Sequence, residues 1–175
     1  MNNKNLQIFV ITGPCGVGKS TISKMIASNI KNSALIEGDN IYHMVIGGHV
    51  KPWEDDGTYL ELFLENVLDI AENFLKRDIT VVLDYIIYPE DTKKIISKFR
   101  EKNVDIKYIV LMADKNTILE RDISRDVDCR MGDRSIELLN EYKKLNIENK
   151  YILDTTSLSK EEILKTIMMD KRFIL

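Results

Sequence analysis

Residues 13–20 read Gly-Pro-Cys-Gly-Val-Gly-Lys-Ser, with Thr21 immediately after. Glycines, a lysine and a hydroxyl at this spacing suit one kind of chemistry, the holding of a phosphate chain. Glycines let successive backbone N–H groups converge on phosphate oxygens. The lysine brings a charge to the β- and γ-phosphates, and the serine hydroxyl is placed for Mg²⁺. The pattern is Gly-x-x-x-x-Gly-Lys-Ser, the P-loop. The candidate nucleotide contacts are Gly13, Pro14, Cys15, Gly16, Val17, Gly18, Lys19, Ser20 and Thr21, with Lys19 also catalytic and Ser20 also a metal ligand.

Such a loop works only between a strand and a helix, because the helix N-terminus adds its partial positive charge to the phosphate site. Both flanks fit. Leu6 to Ile11 is apolar and rich in β-branched residues, which reads as a buried strand. From Thr21 to Ile30, the residues Ile22, Met25, Ile26 and Ile30 recur at helical spacing.

The rest of the chain alternates in the same way. Strands are expected at 34–36, 79–84, 106–112 and 151–153. A short helix beginning at Asp39 ends at Gly47-Gly48, and 49–57 reads as a loop. An amphipathic helix follows over 58–76, with Leu60, Phe63, Leu64, Val67, Leu68, Ala71 and Leu75 on one face. Further helices are expected at 90–102, 114–124 and up to about Leu145. A last helix opens at Ser159-Lys160-Glu161-Glu162, which fits a capping box. Residues 125–134 carry charge and glycine without an apolar period and read as a mobile segment. Five strands alternating with helices imply an α/β protein, a parallel sheet with helices on both faces. No repeat, low-complexity tract or linker divides the 175 residues, so one domain over 1–175 is expected.

Composition narrows the function classes. Hydrophobic residues make up 44% and charged residues 30%, ordinary for a soluble globular protein. No apolar run reaches membrane-spanning length, and Met1 to Asn5 lacks the features of a signal peptide. Cys15 and Cys129 form neither a metal spacing nor a disulfide framework, so free thiols and a cytoplasmic setting are expected. The net charge of −3 argues against a nucleic-acid partner. Its distribution is uneven: residues 37–91 hold thirteen Asp and Glu but only Lys51, Lys76 and Arg77 as bases. Four arginines, Arg121, Arg125, Arg130 and Arg134, follow within 121–134.

The P-loop near the N-terminus, Gly38-Asp39 after the second strand, Asp84 ending the third and the arginine-bearing segment after the fourth together resemble the small P-loop kinases of the nucleoside-monophosphate-kinase-like fold. Among these the chain is most similar to gluconate kinase, shikimate kinase and chloramphenicol phosphotransferase, and as a whole to bacterial gluconate-kinase-like proteins. The resemblance covers essentially the whole chain. It implies a P-loop NTPase fold with strand order 2-3-1-4-5, an acceptor region at about 38–78 and a lid at about 121–134. It also implies ATP and Mg²⁺, with Asp84 in the place of the Walker-B acid holding Mg²⁺ directly or through water.

The resemblance further gives Asp39 the role of accepting the acceptor hydroxyl's proton. A helix cap would explain the same residue type. His43, four residues on, would share its face. In the lid, Arg125 and Arg130 are the first candidates to meet the transferring phosphoryl group and Arg121 the next, while Arg134 can instead open the following helix. The interleaved Asp122, Asp126, Asp128 and Asp133 fit a solvated ion-pair surface equally well. The loop Asp154-Thr155-Thr156-Ser157 runs past the adenine in this fold, and a plain strand-to-helix turn also explains it.

For the acceptor, the resemblance and the charge disagree. Gluconate is an anion, and an acidic 37–91 region repels anions. A neutral or cationic alcohol, a sugar or an antibiotic, is the expectation from charge. Trp53, Tyr59 and Tyr85 are candidates to pack on it; alternatively many of the acids face solvent and Trp53 plugs a core gap. A gluconate-type sugar-acid kinase, a nucleotide or polynucleotide kinase, and a non-catalytic ATP-binding module are the alternatives.

Overall fold

The computed structural model describes residues 6–127 and 130–175. The N-terminal segment, Asp128 and Cys129 lie outside the described residues.

Five parallel strands form one sheet: β1 (Leu6–Thr12), β2 (Ser33–Glu37), β3 (Thr80–Asp84), β4 (Val104–Met112) and β5 (Ile152–Asp154). Their order is β2-β3-β1-β4-β5, as the resemblance implied. The helices are α1 (Lys19–Asn29), α2 (Gly38–Tyr42), α3 (Thr58–Leu75), α4 (Thr92–Phe99), α5 (Lys115–Ile123), α6 (Asp133–Lys144) and α7 (Lys160–Met169). Among the described residues no helix is long and apolar enough to cross a membrane.

Alternation along the central strands builds two cores. Ile8, Val10, Val81, Leu83, Tyr108 and Val110 face one side, where α3 and α4 contribute Phe63, Leu64, Val67, Ile95 and Phe99. Phe9, Ile11, Val82, Ile109 and Leu111 face the other, against Ile22 and Ile26 of α1 and Ile163 and Ile167 of α7. Successive strand side chains point to opposite faces, so a central strand apolar on both sides must be covered twice.

Register fixes the functional edge. Ile11 pairs with Asp84 and Glu37 with Asp84, so β1, β2 and β3 end level with one another. The loop after β1, the acid ending β3 and the first turn after β2 therefore meet at the carboxyl edge of the sheet, where open α/β sheets bind ligands.

Several boundaries differ from the sequence reading. The second helix starts at Gly38 with Glu37 in the capping position, and no side chain caps it. Asp39 lies inside the first turn, so the capping explanation of that residue fails. α4 is shorter than expected at both ends, and β4 starts two residues earlier, at Val104. The segment expected to be mobile over 125–134 gives way to α6 at Asp133, and its described ends are hydrogen-bonded. The Ser159 capping box with Glu162 is present. Leu60 is partly buried, packed against the core at the edge of the fully buried stripe of α3.

Candidate active site

Close backbone approach and side chains donating to its carbonyls shape the loop after β1. Gly13 has φ +132°, and a Cβ there would lie 2.1 Å from the Leu111 carbonyl oxygen of β4, so only glycine passes. Lys19 Nζ donates to the carbonyls of Gly13 and Pro14, 2.9 Å each. This curls the lysine over its own loop, the posture from which it can reach a phosphate chain. Val17 is buried, and Ser20 and Thr21 are exposed at the start of α1.

Asp84 is 7% exposed and lines the same cavity as Ser20, close enough for the serine hydroxyl to stabilise its charge. Burial pushes its pKa up, the Ser20 hydroxyl and the Lys19 charge pull it down, and Asp39 and Glu37 push it up again. A carboxylate held against its desolvation cost beside a hydroxyl is a hard oxygen pair suited to Mg²⁺. Among the described residues no group of three His, Cys, Asp or Glu could hold a metal. Mg²⁺ at Ser20 and Asp84 would therefore complete its shell with phosphate oxygens and water, its usual habit at nucleotide sites.

Asp39 is exposed and lines a cavity of about 1070 Å³ together with Cys15, Lys19, Ser20 and Asp84. Gly38 before it has a steric reason to be glycine, because a Cβ there would meet the Tyr85 ring at 2.6 Å. Tyr85 cannot retreat, since it packs on Phe63 with ring centroids 4.1 Å apart and is 6% exposed. Burial and the nearby Asp39 charge raise its pKa, keeping the phenol neutral. His43 also lines the cavity and lies against the exposed His49, ring centroids 4.9 Å apart.

The four arginines separate. Arg121 faces the nucleotide side: Nη1 donates to the Val17 carbonyl and the Thr155 hydroxyl, and Nη2 to the Thr155 carbonyl, each at 3.1 Å. It ties the P-loop to the loop after β5 and lines a second cavity of about 310 Å³ with Gly16, Val17, Gly18 and Thr21. Arg125 lines both cavities and lies 3.8 Å from Asp122. Arg130 lines neither; it is exposed and its Nε donates to the Arg125 carbonyl at 3.1 Å. Arg134 lies in α6, lines the large cavity, pairs with Glu137 at 3.1 Å and Glu141 at 2.7 Å, and sits 5.6 Å from the Trp53 ring centroid.

Two contributors escaped the sequence reading. Asp122 is 4% exposed, and its two oxygens accept from the Met131 and Gly132 N–H groups at 3.0 and 2.9 Å. It ties residues 131 and 132 back to α5 and, being buried, does not belong to a solvated surface. A charged residue one place after Arg121 gave no signal of this, because the bond spans nine residues. Thr155 is fully buried and bonded to Met112, Val17 and Arg121. Its side chain therefore does more than a plain turn requires.

The acids of 37–91 also scatter. Only Asp39, Asp84, Glu90 and Asp91 line the large cavity. Glu61, Asp69 and Glu72 face away and pair with Lys94, Lys98 and Lys102 of the α4 region, bases that lie beyond residue 91. Trp53 and Tyr85 line the cavity; Tyr59 packs against the core instead.

A glycine loop between β1 and α1, a buried acid beside the loop serine and the strand order β2-β3-β1-β4-β5 define a P-loop domain. Residues 9–140 match the AAA domain family, and the chain belongs to it. Solved structures share the architecture at low identity. A tunicamycin resistance protein from Deinococcus radiodurans is 20% identical over 93% of each chain, TM-score 0.66. A gluconokinase from Sinorhizobium meliloti 1021 is 17% identical over 94% of this chain and 91% of its own, TM-score 0.63. The Mycobacterium tuberculosis APS kinase, in complex with AMPPNP and APS, is 13% identical over 94% and 96%, TM-score 0.65. No curated protein matches the chain in sequence.

Proposed function

We propose that the protein is a Mg²⁺- and ATP-dependent kinase that transfers the γ-phosphate to a hydroxyl of a neutral or cationic small molecule. The observation that carries this reading is that Lys19, Ser20, Asp84 and Asp39 line one cavity. Lys19 meets the β- and γ-phosphates. Ser20 and Asp84 hold Mg²⁺, which neutralises charge on the phosphates when bound. Asp39 takes the proton as the acceptor oxygen bonds to the γ-phosphorus and the bond to the β-phosphate oxygen breaks, leaving ADP. Arg125, which borders both cavities, meets charge that develops on the transferred group.

The acceptor's charge class rests on pairing rather than on counting acids along the chain. The cations on the acceptor side, Lys51 and Arg134, already face carboxylates: Glu54 for the first, Glu137 and Glu141 for the second. Asp39, Glu90 and Asp91 add negative charge to the same wall. An anionic acceptor would displace existing pairs, whereas a neutral or amine-bearing alcohol would not.

The test is a screen with γ-labelled ATP and Mg²⁺ against polyols, aminoglycosides, sugar acids, nucleotides and oligonucleotide 5′ ends. Transfer to a neutral or amine-bearing alcohol in preference to gluconate is expected. Preference for gluconate would establish the sugar-acid alternative, and ATP binding without transfer to any acceptor would leave a binding module.

A further inference from the structure

The proposed kinase reading leaves one part of the large cavity without a task. Pro52, Trp53, Leu60, Ile86, Tyr88 and Met131 line it, and each keeps part of its surface exposed. They come from four places: the loop before α3, the first turn of α3, the loop after β3 and the lid base. Leu60 belongs by spacing to the buried stripe of α3, yet it is open to the cavity while Phe63 and Leu64 below it are 3% and 4% exposed. Trp53 is 51% exposed. A cavity of about 1070 Å³ slightly exceeds the roughly 300–1,000 Å³ typical of sites for drug-sized ligands, and it takes in the phosphate end as well.

A compact sugar acid fits this wall poorly. Hydroxyls and a carboxylate pressed on Leu60 and Ile86 would lose water without gaining partners. Asp39, Asp84, Lys19 and Ser20 gather where transfer would occur, and Lys51, Glu90, Asp91 and Arg134 rim the far wall around the apolar side chains. Tyr85 marks the boundary, since it feels the Asp39 charge on one side and packs on Phe63 on the other. The cavity is thus polar at the phosphate end and carries, leading away from it, an apolar strip bordered by charged side chains.

Resting on the kinase reading for its chemistry, we propose that the acceptor is an amphipathic alcohol, whose hydroxyl end reaches Asp39 while an alkyl or aromatic arm packs on Trp53, Leu60, Ile86 and Tyr88. The hydroxyl supplies the nucleophile, and the arm supplies binding energy that orients it.

A ladder of alkyl β-glucosides, from methyl to octyl below its micelle concentration, separates the arm from the headgroup. Two readouts are used. Trp53 is the only tryptophan in the chain, so its fluorescence reports binding at the wall. Labelled phosphate from Mg²⁺-ATP reports transfer. Binding should tighten about two- to fourfold per added methylene, the upper figure being ~0.8 kcal/mol per buried CH₂ expressed as a ratio. Where the headgroup is phosphorylated, kcat/KM should rise in parallel through KM. Trp53→Ala and Ile86→Ser, with binding followed by calorimetry and folding checked by Tm, should each flatten the chain-length slope. Binding that grows with chain length while no acceptor is phosphorylated would support the apolar-arm site and count against the kinase reading. Transfer or binding independent of chain length would overturn the apolar-arm site, whatever the fate of the kinase reading.

Discussion

The phosphate end and the acceptor end of the large cavity are built by opposite means. Ten consecutive positions from Thr12 to Thr21 make the first, and its shape is set by backbone: Gly13 against the Leu111 carbonyl, Lys19 on its own loop carbonyls, Val17 held by Arg121. The second is assembled from α2, α3, the loop after β3, the lid base and α6, and its surface is side chains. Backbone N–H groups recognise phosphate wherever a glycine loop enters a helix. An acceptor is recognised by side chains that share no stretch of chain. One end is therefore a local property, and the other is a property of packing.

A buried network joins the two. Thr12 Oγ1, at the root of the P-loop, accepts from the Ile87 N–H at 2.8 Å, donates to the Ile87 carbonyl at 3.1 Å and meets the Tyr142 hydroxyl at 2.8 Å. The Tyr108 hydroxyl donates to the same Ile87 carbonyl at 2.8 Å. Four elements are thus locked beneath the cavity, so the acceptor wall at Ile86–Tyr88 holds its distance from the phosphate loop.

The sharpest challenge to this division comes from the lid. Arg125 borders both cavities and Arg130 neither, so Arg125→Ala should slow transfer by about 10³–10⁵-fold if it serves as an arginine finger, with a far smaller change in ATP affinity. Arg130→Ala should change little. Equal losses in single-turnover assays would show that the lid closes differently with nucleotide bound.

Asp39 tests the acceptor end alone. Asp39→Asn should lower kcat by about 10²–10⁴-fold, the usual worth of a placed general base, without weakening ATP binding. A variant that transfers phosphate at the normal rate would remove Asp39 from the chemistry. Lys19→Ala tests the phosphate end: transfer should fall about 10²–10³-fold for every acceptor alike, with Tm preserved, because the lysine is partly solvated. Acceptor-dependent losses would contradict the separation of the two ends.

Asp122→Asn sharpens the link between lid and core. Asparagine offers one acceptor oxygen where two N–H groups now bond to a carboxylate. Losing one such bond costs about 1.5–3 kcal/mol, so Tm should drop and transfer should slow roughly tenfold or more. A lowered Tm with unchanged kcat would make Asp122 purely structural.

The smallest effect concerns the outer fastening of the acceptor wall. Glu72 on α3 hydrogen-bonds Lys102, Lys76 and Lys98, which hold its pKa down at about 2 against an ordinary 4.5. A carboxylate whose folded pKa is depressed contributes stability above its unfolded pKa and loses it as pH falls through the folded one. Glu72→Gln should therefore lower Tm slightly at pH 7, less in high salt, and by much less near pH 2, where the carboxyl is already half-protonated. A drop of equal size at both pH values would mean that packing, not charge, is lost.

The legible parts of the site follow the same division. Gly13 to Thr21 and the Walker-type acid Asp84 could be read because each is positioned by its own strand or loop. Gly38-Asp39 could be read from its resemblance, but its steric reason, the Tyr85 ring, comes from a residue 47 places on. The charge argument from 37–91 counted acids that do not line the cavity, because a window along the chain ignores what packs across it: Lys94, Lys98 and Lys102 lie outside the window and pair with Glu61, Asp69 and Glu72 of α3. Arg121 and Arg125 looked alike in sequence, yet one is tied to Thr155 and the other opens onto both cavities.

By itself, the sequence determined the alternation of strands and helices, the phosphate loop and its place at a helix N-terminus, because periodicity and glycine chemistry act over a few residues. Tertiary structure alone decided which acids line the large cavity, which arginine borders both cavities, that Asp122 accepts from the Met131 and Gly132 N–H groups and that Trp53 stays exposed. Those outcomes depend on contacts between residues far apart in the chain, and such contacts exist only once the sheet has set the spacing between its helices.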